Sequence, residues 1–357
     1  MINQAQCNII ALTMISGLSP KKILGFSKDR LFGNIDPGPV KRSKEYLEEL
    51  EYIEEEGITP VSYWDDSYPG ALRDIHDPPV ILYCKGAFRK DDVRSVAIVG
   101  SRRCSAYGLQ MAERLAFELA QRGITIVSGM ARGIDTAAHM GALKAGGRTI
   151  AVMGSGFRHI YPAGSEKLVQ QILSNGVVVT EFDSRKEPFK YNFPRRNRIV
   201  SGLSQGVVVV EASQKSGALI TADFALDEGK EVFAVPGRAD SYVSRGTNDL
   251  IRTGAKIVTC AEDILEELRS ITDAPRCEAD TPKTLFPEAE IKNDSGLPED
   301  HLRVIKAFKV DVPLHIDEIW ENVEVDRGVL SEILLTLELK KFIKTLPGSN
   351  YVLAREQ

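Results

Sequence analysis

No two cysteines in this chain have the C-x-x-C spacing of a zinc or redox site. The five cysteines, Cys7, Cys84, Cys104, Cys260 and Cys277, are scattered and odd in number. Neither a disulfide framework nor a metal site is expected, and free thiols in a reducing cytoplasm are. No apolar run approaches the roughly 18 to 20 residues of a membrane span. The opening MINQAQCNII lacks the basic start and apolar core of a secretory signal. A cytoplasmic protein with no membrane insertion is the expectation. An excess of positive charge is also missing, since the net charge is −5. That balance argues against a uniformly basic nucleic-acid binder, but the field that steers a polyanion is local. Here the acids concentrate at the two ends and in a linker.

Two phosphate-binding signatures are absent as well. No G-x-x-x-x-G-K-[S/T] occurs, which excludes a P-loop. The first glycine turn reads GSRRCSAYG rather than G-x-G-x-x-G, and the second strand ends in Val127-Ser128 without an acid for a ribose hydroxyl. A dinucleotide-dependent oxidoreductase is excluded on both counts, and no cofactor is expected.

What is present is an alternating pattern in a chain of 357 residues. Short apolar runs at Val96–Val99, Ile124–Val127, Thr149–Met153, Val177–Thr180, Val207–Val210, Glu231–Val235 and Lys256–Thr259 are separated mostly by helical stretches. Apolar strands in such an order predict a parallel, doubly wound sheet covered on both faces. Residues 1–60 read as a small helical domain with a long acidic amphipathic helix ending at Gly57. A turn over Ile15–Pro20 has a faint helix-hairpin-helix character and is read as structural. Ile81–Cys84 reads as a short strand after the Pro78-Pro79 break. The main body spans 61–270, the acidic, proline-rich stretch 271–297 is a linker, and 298–357 predicts helix, helix, helix and hairpin, the order of a winged helix.

Three turns at carboxyl ends of predicted strands combine glycine with arginine. They are Gly100-Ser101-Arg102-Arg103, then Gly129 to Arg132, then Gly154-Ser155-Gly156-Phe157-Arg158. Glycine lets a ligand approach the backbone, and the turn amides and helix N-termini at this edge are where open α/β sheets bind anions. A second basic stretch, KYNFPRRNRIVSGLSQG, clusters Arg195, Arg196, Asn197 and Arg198, with Phe189, Tyr191 and Phe193 interleaved. Cations with aromatics suit single-stranded nucleic acid. Interior ion pairing is an equal alternative for Arg196 and Arg198, and core packing is favoured for the three rings. Lys167, on the first turns of the helix after the third glycine turn, is within reach of the same face. His159 reads as structural. The candidate contact set is therefore Gly100, Ser101, Arg102, Arg103, Gly129, Arg132, Gly154, Ser155, Gly156, Phe157, Lys167, Arg195, Arg196 and Asn197, with no catalytic residue among them.

The order of Ser128-Gly129-x-Ala131-Arg132-Gly133-Ile134-Asp135, Arg196-Asn197-Arg198-Ile199, Ser216–Ala222, Val235-Pro236-Gly237 and Gly246-Thr247-Asn248-x-Leu250-Ile251 resembles the DNA-processing protein A (DprA, or Smf) family. The likeness extends to Tyr68-Pro69, Asp77-Pro78-Pro79 and the tail, over roughly 58 to 268 and 299 to 353. It implies an extended Rossmann-like parallel sheet core, with the helical N-terminal and winged-helix C-terminal domains either side. It also implies a non-catalytic homodimer that binds single-stranded DNA and loads RecA recombinase during natural transformation. The family's DNA-contacting arginine falls on Arg102, with Arg103 beside it, and its lysine on Lys167. The expected recognition helix, Arg327 to Lys341, carries Glu332 and Glu338 amid leucines, so it is not expected to read a major groove. The competing class is the related nucleotide hydrolases, whose P-G-G-x-G-T-x-x-E motif supplies a glutamate. This chain has Lys215–Ala222 there, without a carboxylate to serve the hydrolysis.

Overall fold

The computed structural model describes residues 2–15, 20–25, 37–268, 298–308, 314–323, 326–340, 342–346 and 350–353. Residues 16–19 of the Ile15–Pro20 turn and the whole 271–297 linker lie outside the described residues. Contacts group the chain into two units, Met1–Cys277 and Glu278–Gln357.

The first unit is built on one nine-stranded sheet. Its strands are β1 (Thr59–Ser62), β2 (Ile81–Gly86), β3 (Ser95–Val99), β4 (Thr125–Ser128), β5 (Thr149–Val152), β6 (Val177–Thr180), β7 (Gly206–Val209), β8 (Glu231–Ala234) and β9 (Lys256–Ile257). They lie in the order β1-β2-β6-β5-β4-β3-β7-β8-β9. β3 through β9 are parallel to one another, as the alternating pattern predicts. β1 and β2 add antiparallel strands at one edge. Pro60 lies within β1, and a residue without an N–H is tolerated at an edge.

The strand order runs outward from β3 in two directions, to β4 on one side and β7 on the other. That reversal leaves a crevice between the turns following β3 and β7, the place where open parallel sheets take ligands. Side chains alternate across the sheet. Val96 and Ile98 pack with Leu115 and Leu119 of the helix Ala106–Gln121, and with Ile134 and Ala138 of the helix Ile134–Lys144. Ala97 and Val99 face the opposite layer, with Ile199 and Val200 of the helix Asn192–Gly202 and Ala222 of the helix Gly217–Asp227. A third apolar cluster joins Ile9 and Leu12 of the helix Gln4–Thr13, and Ile53 of the acidic helix Lys44–Glu55, to Ala151, Phe157 and Val178. Among the described residues no helix is long and apolar enough to cross a membrane.

The second unit has helices Glu299–Lys306, Ile316–Asn322 and Arg327–Leu339. Beside them lies a sheet ordered β10 (Leu314–His315), β12 (Asn350–Leu353), β11 (Ile343–Leu346). This is the predicted winged-helix order, with the two-residue β10 added. Val304, Ile319, Leu330, Leu334 and Ile343 form its separate core. Val329, Leu335 and Leu339 are exposed on the last helix, together with Glu332.

Candidate nucleic-acid interface

The first turn differs from its sequence reading in where its amides go. Ser101 donates its backbone N–H to the Glu211 carbonyl (2.7 Å), and Arg103 N donates to Ser101 Oγ (3.1 Å). Ser105 caps the helix Ala106–Gln121, and its own N–H and hydroxyl donate to the buried Glu211 carboxylate (2.8 and 2.5 Å). A carboxylate at a helix N-terminus complements the dipole there. The amides of Ser101, Arg103 and Ser105 are therefore taken up within the fold. What the turn does offer is side chains. Arg102 and Arg103 are exposed, and the Arg102 guanidinium lies over the Phe193 ring, 4.7 Å from its centroid.

Two amides of the second turn are likewise taken up internally. Gly129 N and Ala131 N donate to Asp135 Oδ2 (3.1 and 3.2 Å). Beneath it lies Arg196, buried, whose Nη1 donates to the carbonyls of Gly129 and Val152. Burial draws the Arg196 guanidinium down to about 10, against the opposing pull of Asp135, so it stays a cation at neutral pH. Burial also pushes the Asp135 carboxyl up, and Arg196 holds it down. A Cβ on Gly129 would sit 2.3 Å from Arg196 Nη1. Glycine is needed here for the buried guanidinium as well as for any ligand. Arg132 is exposed.

In the third turn Gly156 N donates to the Lys186 carbonyl (2.8 Å), and a Cβ there would lie 2.0 Å from the Asp183 oxygen. Gly154 and Ser155 are buried, with Ser155 Oγ donating to His159 O (2.6 Å). Phe157 is turned into the cluster shared with the N-terminal helices. Lys167 is exposed near the start of the helix Glu166–Leu173, with no ion-pair partner among the described residues.

The arginine cluster divides. Arg198 is enclosed by Glu181 (Nη1 3.0 Å, Nη2 2.8 Å) and Asp77 (Nε 3.0 Å), an interior ion pair. Arg195 also reaches Glu181, at 2.9 Å. Asn197 accepts from Arg196 Nε (3.2 Å) and donates to the Gly217 carbonyl (3.1 Å). The reading of the aromatics as core is corrected for Phe189 and Tyr191, which are exposed and stacked on each other. Neither ring belongs to any of the buried clusters, and they bury area against each other instead. Phe193 is half-buried and packs on Tyr161.

These elements enclose a groove of about 970 Å³ at the β3/β7 crevice. From the candidate set it gathers Gly100, Ser101, Arg102, Arg103, Gly129, Arg196 and Asn197. Arg132, Gly154, Ser155, Gly156, Phe157, Lys167 and Arg195 are outside its lining. Lys190, Asp135, Tyr161 and Tyr242 line it too. Lys190 and Tyr161 are legible as neighbours of the basic stretch and of the third turn, whereas nothing in the sequence marks Tyr242. Four cations, Arg102, Arg103, Lys190 and Arg196, face the groove against the single carboxylate of Asp135. Such a surface holds a polyanion by side-chain charge.

Residues 59–269 match the family model for DNA recombination-mediator protein A, and residues 288–349 the DprA winged helix domain. DNA processing protein DprA of Streptococcus pneumoniae is 45% identical over 206 residues, 58% of this chain and 73% of that protein. An X-ray structure of DNA processing protein A from that organism superposes with a TM-score of 0.64 at 37% identity, covering 74% of this chain and 99% of that one. A structure of DNA processing protein A from Helicobacter pylori, described for its single-stranded DNA binding mode, gives 0.53 at 33% identity over 60% of this chain and 96% of that one. With the sheet, the groove and the tail agreeing, this chain belongs to the family of DNA recombination-mediator protein A.

Proposed function

We propose that this chain binds single-stranded DNA without sequence preference in the β3/β7 groove, and that it delivers the strand to RecA recombinase as a cytoplasmic homodimer in natural transformation. No bond of the DNA is broken. The observation that carries the reading is the set of exposed cations at the groove, Arg102, Arg103 and Lys190, none in an ion pair with a carboxylate among the described residues. Arg196 lies below them as a fixed positive charge. The amides of Ser101, Arg103, Gly129, Ala131 and Gly156 are bonded within the fold, which leaves guanidinium and ammonium groups to meet phosphates while the bases stay free to face rings. The strand-binding relative from Helicobacter pylori supports the ligand, and the family's description as recombination mediators supports the delivery step. Lys167, Arg132 and Arg195 stand outside the groove and extend the contact surface beyond it. The test is delivery itself: RecA filament formation on strands pre-coated with single-strand-binding protein is expected to accelerate with the full chain. An unchanged rate alongside normal strand binding would remove the delivery step alone.

A further inference from the structure

We propose, resting on the single-strand reading above, that Phe189 and Tyr191 form a stacking platform for an unpaired nucleobase on the outer side of the groove. The two rings lie within 9° of parallel, with centroids 5.6 Å apart. They remain 45% and 62% exposed. Their loop alternates: Pro188 and Lys190 line the groove together with Phe193, and the intervening Phe189 and Tyr191 lie outside that lining. A strand leaving the groove over Lys190 therefore meets this pair next. Lys186 Nζ sits 5.8 Å from the Tyr191 ring centre, and Lys190 lies between the two rings in the chain. Ammonium groups beside exposed rings match the repeat of a single strand, phosphate to cation and base to ring. Continuity with the cationic groove selects a nucleobase over an apolar protein segment, which would gain nothing from the lysines.

The platform is also held in place. Lys186 O accepts from Gly156 N, and Ser184 O accepts from Arg158 N (3.0 Å). The fully buried Glu49 of the helix Lys44–Glu55 takes both the N–H and the hydroxyl of Ser184 (2.8 and 2.5 Å). Asn192 Nδ2 donates to the Glu187 carbonyl (2.9 Å), closing the far end of the loop. Ordering the loop is thus part of folding and is not charged to binding.

The experiment uses the full chain carrying Phe189→Ala and Tyr191→Ala, with fluorescence anisotropy on a thymidine oligomer and on an abasic deoxyribose-phosphate oligomer of equal length. The thymidine oligomer is expected to bind about tenfold more weakly than to the parent, with an unchanged salt slope, because a stacked base and no phosphate contact is lost. The abasic oligomer is expected to bind parent and variant alike. Parent-like affinity of the variant for thymidine overturns the platform, as does an equal loss on the abasic oligomer or a loss of self-association instead. If the parent binds neither oligomer, the single-strand reading itself falls and the platform with it. A second readout is Tyr191→Trp, whose added fluorescence the thymidine oligomer should quench and the abasic one should not; equal quenching by both, or none by either, contradicts stacking at this site.

Discussion

A guanidinium has five N–H donors in a rigid fork and is hard to strip of its charge. At Arg196 that fork is buried against two backbone carbonyls, with Asp135 as the nearby counter-charge. Arg196→Met leaves the Gly129 and Val152 carbonyls without this donor and the Asp135 carboxylate buried without its cation. The expected cost is about 3 to 5 kcal/mol, read as a fall in the urea midpoint. His139 gives a second prediction at this scale. Its Nδ1 lies 2.7 Å from Thr149 Oγ1, and that hydroxyl donates to Ile126 O, so the ring proton sits on Nδ1. Nε2 is buried with no partner in the structure. Burial, with Arg196 adding to it, pulls the imidazole from 6.5 down to about 3. The unfolded chain therefore binds a proton that the folded one refuses, and the stability this ring contributes is complete above 6.5 and is lost as pH falls towards 3. Between pH 7 and pH 5 this group should cost about 2 kcal/mol. Urea titrations at both pH values check it, and His139→Leu should flatten that slope.

The elements were legible where each residue choice pointed one way. Val96–Val99 and Val177–Thr180 are short apolar runs bounded by glycine or polar turns, the pattern of a strand buried on both faces. β1 and β10 were not legible: one is four residues long and contains Pro60, the other is two residues, and both exist by pairing with a neighbour rather than by their own pattern. The fate of the turn amides was also hidden. Glu211 reaches Ser105 across 106 residues of sequence, and Arg198 meets Asp77 across 121. No local spacing signals such a partner. The helix Lys44–Glu55 likewise read only as a long acidic amphipathic helix, with no sign that Glu49 turns inward to hold Ser184 or that Glu48 lies 3.6 Å from Arg185. Glu49→Ala should therefore free the 183–186 loop. Hydrogen exchange there is expected to quicken by more than tenfold, with about 1 to 3 kcal/mol lost from global stability. Unchanged protection at Ser184 would show that the loop does not depend on this helix.

Across the whole molecule, an acidic chain carries its binding charge in one place. The net charge is −5, while the lining of the β3/β7 crevice collects four cations against one carboxylate. Among the described residues of the winged-helix unit, the last helix exposes Val329, Glu332, Leu335 and Leu339. Duplex DNA is accordingly expected to bind more weakly than an unpaired strand of equal length, as competition assays can show. Arg102 ties the scales together, being a residue in a turn that the strand order places at the crevice. The most direct test is anisotropy of a thymidine oligomer across a salt series, for the parent and for Arg102→Ala. Binding in dilute salt is predicted, with affinity falling linearly on logarithmic axes. The Arg102→Ala slope should be shallower by about 0.7, the share of one phosphate contact on a single strand. A folded Arg102→Ala protein with the parent's affinity and slope, or a parent that ignores unpaired DNA, would contradict the account.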